Sequence, residues 1–138
     1  MRRRADGCCE YCRHRDDYSS DPFEVEHVLP LDAGGTDHPD NLAYACRGCN
    51  GLKSALTEAT DPATGQTAAL FHPRRDLWSE HFAWTEDFTE VRGLTAAGRA
   101  TVEALALNRE GLRNLRTALH PLGVHPPAED VPTNTAIL

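Results

Sequence analysis

Apolar residues recur along this chain with two periods, and the change from one to the other divides it. Phe23, Val25 and the position of His27 alternate with Glu24, Glu26 and Val28. This is the period of two expected of a strand, and Pro30 stops it. Leu42-Ala-Tyr-Ala-Cys46 reads as a second short strand, after a loop over 32–40 that holds Gly34, Gly35 and Pro39. A helix is expected from Gly48 or Asn50 to about Ala59, followed by a turn at Asp61-Pro-Ala-Thr-Gly65 and a strand over Gln66–Phe71. Residues 82–92, with Phe82, Trp84, Phe88 and Val91, continue the strand pattern. Thr95 is a good N-cap for a helix to about Leu107. Leu112, Leu115 and Leu119 stripe a second helix, 110–119, ended by Pro121. The chain from about 126 is Pro-rich and expected to fray.

Length and composition narrow the class. The 138 residues suit one compact domain, and 40% apolar with 25% charged residues argues against a largely disordered chain. No run approaches the roughly 18 apolar residues of a membrane span, and the first residues lack a signal-peptide apolar region. A cytoplasmic protein that avoids membranes is expected. The formal net charge is −7, and residues 21–60 are the most acidic part, with two cations against seven acids. That argues against a simple electrostatic grip on nucleic acid. Clustered carboxylates fit either a solvated acidic face or a bound cation.

All five cysteines fall in the first 49 residues. Cys9-Glu-Tyr-Cys12 and Cys46-Arg-Gly-Cys49 are two C-x-x-C pairs, and two such knuckles make a tetrahedral four-cysteine zinc site. One structural Zn2+ per chain is expected on Cys9, Cys12, Cys46 and Cys49. Disulfides are the alternative, disfavoured in a reducing compartment. Cys8 stands beside Cys9 and offers a C-x-x-x-C spacing in its place.

Between the knuckles lie Glu26-His27-Val28 with Pro30, then Asp40-Asn41-Leu42, and the second knuckle runs on into Asn50 and Lys53. A carboxylate beside an imidazole on a strand, with a carboxamide at the head of a helix, equips a site for metal-assisted phosphodiester hydrolysis. Carboxylate and carboxamide oxygens suit a hard ion such as Mg2+. A neutral His nearby can take the proton of the attacking water.

This order of motifs, C-x-x-C, E-H-V-x-P, a Gly-Gly loop, D-N-L and C-x-x-C-N-x-x-K, resembles the HNH endonucleases over about residues 8–56. The likeness is to the group whose ββα-metal core is pinned by a four-cysteine zinc. The stretches around Asp61–Gln66, Leu70–Phe82 and Gly93–Arg99 look like the extension of compact bacterial members. The resemblance implies an α+β fold: a zinc-stapled ββα core over 1–60, and an extension over 61–138 that packs on it and ends in two helices. It also implies that His27 is the general base, that Glu26 and Asn50 hold a catalytic Mg2+ or Mn2+, and that Asn41 ties the long loop to the first strand and orients His27. Lys53 matches the helix cation that faces phosphate. Glu26 stands where Asp is usual, and Asn50 where His is common.

Outside the core, Arg74 and Arg75 are further candidates for phosphate contact, and His81 for a third metal ligand. DNA is the expected substrate, presented with help from a partner protein or a second copy, since the acidic chain grips DNA poorly by itself. The rival class is a catalytically inactive zinc-ribbon module that binds nucleic acid or protein.

Overall fold

A computed structural model of the chain describes residues 1–127; the remainder of the expected tail lies outside the described residues. Strand β1 (Glu24–His27) pairs antiparallel with β2 (Leu42–Ala45), with Glu26 opposite Ala43 and His27 opposite Leu42. Helix α1 (Arg47–Lys53) follows directly, which completes a ββα unit. The period of two is obeyed, with the buried member of the pattern being polar. Val25 is 52% exposed, whereas Glu26 is 5% exposed. A buried carboxylate is tolerated only with partners, and Tyr11 and Lys53 supply them.

Helix α1 ends at Lys53, six residues before the expected Ala59, where Ser54 adopts φ 47° and ψ −125°. Residues Glu58–Thr60 form β3 instead, paired with β4 (Thr67–Ala69). The turn between them decides this. Asp61 accepts from Ala63 N at 2.9 Å and Thr64 Oγ1 at 3.2 Å, and Arg99 grips it through two bonds of 2.8 and 2.9 Å. A short helix not expected from sequence, α2 (Trp78–His81), leads into a third hairpin of β5 (Phe82–Trp84) and β6 (Val91–Gly93). Helix α3 (Ala96–Ala104) starts where expected, because Thr95 Oγ1 accepts from Gly98 N at 3.0 Å. Helix α4 (Glu110–Leu119) has the expected bounds.

The extension closes over the ββα unit through aromatic packing. Phe71 meets Phe82 edge-on at 5.2 Å, and Trp78 lies 5.0 Å from Phe82. The Trp78 indole N–H donates to Tyr11 O at 3.0 Å, so this cluster is tied to the first cysteine knuckle. Burying each such ring is worth about 2–3 kcal/mol. The same core continues through the four clustered cysteines to Leu105, Leu107 and Leu112. Among the described residues no helix is long and apolar enough to cross a membrane.

Candidate metal centre and active site

The two knuckles meet. The sulfurs of Cys9, Cys12, Cys46 and Cys49 all lie within 4.8 Å of one another, and all four residues are buried. Cys12 Sγ and Cys46 Sγ are 3.7 Å apart, close to the about 3.8 Å edge of a tetrahedron with Zn–S bonds of about 2.3 Å. Cys8 is outside the cluster, with its Sγ 3.6 Å from Asp6 O. The first knuckle is therefore Cys9–Cys12. Local backbone prepares the sulfurs: Cys12 N donates to Cys9 Sγ at 3.5 Å, and Cys49 N to Cys46 Sγ at 3.4 Å. The second bond also caps α1, so metal knuckle and helix start are one device. Hydrogen bonds from the neighbouring thiols lower the Cys46 thiol, while burial pushes Cys9 up. The four cannot readily ionise together without a cation, and a divalent metal supplies that charge. The Arg109 guanidinium adds to it, 3.5 Å from Cys46 Sγ and 3.7 Å from Cys49 Sγ.

Fourteen residues after His27 lies the loop's end, where Asn41 makes the loop tie expected of it. Its Oδ1 accepts from Leu29 N at 2.9 Å, and its Nδ2 donates to Leu29 O at 2.9 Å and Thr36 O at 2.8 Å. Val28 N adds a bond to Asn41 O at 2.9 Å. Gly35 lets the loop fold back so tightly, since a Cβ there would lie 1.9 Å from Leu29 O. At the end of β1, His27 Nε2 lies 2.7 Å from Asp37 Oδ1 on the same loop. Asp37 is 86% exposed in its side chain, so the pair contributes orientation more than stability.

The other face of β1 looks at α1. Glu24 and Glu26, two apart on the strand, meet Asn50 and Lys53, three apart on the helix. Asn50 Nδ2 donates to Glu24 Oε1 at 2.8 Å. Lys53 Nζ lies 3.1 Å from Glu26 Oε2, and Tyr11 Oη donates to Glu26 Oε1. Burial raises the Glu26 carboxyl, opposed by the bonds from Tyr11 and Lys53. Thus Asn50 reaches Glu24 rather than Glu26, and Glu26 turns inward. Glu24 escaped the sequence reading although the period of two puts it on the Glu26 face. Tyr11, inside a C-x-x-C, and Asp37, in a polar loop, carry no comparable signal.

Three further candidates are engaged within the protein. Lys53 is 1% exposed and also donates to Val28 O at 2.9 Å, so it is an interior anchor rather than a phosphate contact. Arg74 is nearly buried and paired with Glu10. His81 Nδ1 is engaged by Thr95 Oγ1 at 2.6 Å, at the start of α3. Arg75 remains exposed. The N-terminal arginines are also partly engaged, Arg2 with Asp16 and Arg15 with Asp17.

Residues 9–56 match the family model described as HNH endonuclease. The chain is similar to the Septu protein PtuB of Bacillus thuringiensis, with 31% identity over 107 residues, covering 73% of this chain. It spans 37% of the length of that relative. No solved structure matches it. The matched segment begins at the first clustered cysteine and ends just past α1, taking in His27, Asn41 and all four clustered cysteines, and over these residues the chain carries a match to the HNH endonuclease domain.

Proposed function

We propose that the protein is a metal-dependent endonuclease that hydrolyses DNA phosphodiester bonds, with His27 as the general base. The observation that carries this is the posture of His27. Its Nε2 is engaged by the Asp37 carboxylate, which as an acceptor holds the proton on that nitrogen and leaves Nδ1 with the lone pair a base needs. Asn41, by closing the loop that carries Asp37, positions His27 indirectly.

Glu26 and Asn50, with Glu24 added from the structure, are the oxygen donors proposed for a catalytic Mg2+ or Mn2+. Carboxylates and a carboxamide suit such ions, which keep several waters. The ion, when bound, would stabilise negative charge developing on the phosphate and the leaving oxygen. Arg75 is the remaining side chain proposed to meet phosphate. Cysteine thiols gathered as a metal cluster support a reducing, cytoplasmic setting. The charge of −7 supports presentation of DNA by a partner protein or a second copy.

The rival reading is a zinc-stapled binding module without catalysis, and the inward, fully engaged carboxylate of Glu26 favours it. Plasmid nicking separates the two. Wild-type protein should nick with Mg2+ or Mn2+ and stop with EDTA, and His27→Ala should lose about 10²–10⁴-fold. Cleavage by His27→Ala at the wild-type rate would remove His27 from the mechanism.

A further inference from the structure

A cavity of about 730 Å3 lies between the Asn41-tied loop and the extension, within the roughly 300–1,000 Å3 of small-ligand pockets. Leu29, Leu56, Leu70 and Phe71 give it apolar walls, and His38, His72 and Arg75 bring polar groups to it. The two histidines are prepared in the same way. Asp40 N donates to His38 Nδ1 at 3.1 Å, and Arg74 N donates to His72 Nδ1 at 3.2 Å. A backbone N–H can only donate, so each Nδ1 is the acceptor and each neutral ring carries its proton on Nε2. Both rings therefore offer an N–H donor and no free metal-binding nitrogen. Asp40 and Asp76, also on the lining, offer acceptors. Asp76 Oδ2 accepts from His72 N at 2.9 Å.

This chemistry selects among ligands. Two carboxylates disfavour a further anion, so free phosphate is a poor occupant. Apolar faces with in-plane donors and acceptors around them match a nucleobase, which has apolar faces and edges that carry both. The cavity also adjoins the proposed nuclease site, because Lys53 and Asn41 line it while contacting Glu26 and the Leu29–Thr36 loop.

We propose that the cavity takes one unpaired nucleobase of the strand being cut, so that the substrate is distorted or single-stranded DNA rather than uninterrupted duplex. This deepens the nuclease reading and rests on it. Taking a base out of the stack is cheapest where it is already unpaired.

The test uses the full zinc-loaded chain carrying His27→Ala, so that DNA stays intact, and measures fluorescence anisotropy. Three labelled probes are compared: a short duplex, the same duplex with one extra unpaired thymidine, and the same with that extra nucleotide abasic. The unpaired thymidine should raise affinity about tenfold over the duplex, and the abasic probe should lose the gain. Adding His72→Ala, which removes a donor, or Leu56→Trp, which fills the space, should shrink the ratio between thymidine and abasic probes. Zinc content and melting temperature confirm that these variants fold. Equal affinity for thymidine and abasic probes, or an unchanged ratio in both variants, overturns the proposal. Plasmid nicking by wild-type protein judges the nuclease reading separately: a wild-type protein that nicks plasmid but cuts the plain duplex as fast as the duplex with an unpaired thymidine sinks the cavity proposal alone.

Discussion

Gly48, on α1, and Arg109, at the start of α4, fit together without spare room. A Cβ on Gly48 would lie 2.5 Å from Arg109 Nη2, whereas without it the guanidinium rests against Cys46 Sγ and Cys49 Sγ. Arg109 is anchored by Leu105 O at 3.1 Å and Ala106 O at 3.3 Å, so the extension places a fixed cation on the cysteine cluster. Four thiolates around Zn2+ carry a residual charge of −2, and a neighbouring guanidinium offsets part of it. Arg109→Ala should release zinc to a chromogenic chelator about tenfold faster. Gly48→Ala should act in the same direction and more weakly, because a flexible Arg can shift. Unchanged release in Arg109→Ala would show that the contact does not hold the metal.

The assignment of the first knuckle has its own check. Cys8→Ser should keep one zinc per chain by elemental analysis, since its sulfur is outside the cluster. Cys9→Ser should lose zinc and melt earlier, because binding of a structural metal is folding free energy.

Asn41 uses one acceptor and both amide donors in the loop tie. Asn41→Asp keeps the shape but turns a carboxylate oxygen toward the Leu29 and Thr36 carbonyls. Each lost partner costs about 1–3 kcal/mol when the group is away from water. The variant should unfold at lower denaturant and nick more slowly than wild type, yet faster than His27→Ala. A wild-type unfolding midpoint would mean that water replaces the tie.

Lys53 and Glu26 form a buried charge pair, with side chains 1% and 4% exposed. Lys53→Met leaves the Glu26 carboxylate with Tyr11 as its remaining side-chain partner and should cost about 3–5 kcal/mol in a denaturant melt. Adding Glu26→Gln should recover part of the loss, because the orphaned charge is then gone. If the double variant were no better than Lys53→Met, the loss would come from packing and the Val28 carbonyl bond instead.

Spacing alone was enough to read the ββα unit and the two cysteine knuckles, because both are short-range devices. A knuckle needs two cysteines three apart, and a strand needs its period of two. The Asn41 tie was legible for a similar reason, since it closes a loop of only a dozen residues. Tertiary structure decided the rest. Whether Cys8 or Cys9 joins the cluster depended on where the second knuckle sits. Whether Lys53 meets phosphate or the interior depended on Glu26 turning inward, which Tyr11, brought from the other knuckle, makes tolerable. The end of α1 was settled by Asp61 and Arg99, far apart in the chain, which hold a turn that draws Glu58–Thr60 into a strand. Local sequence encodes backbone geometry, but a polar side chain's role follows from the partners that distant segments carry to it.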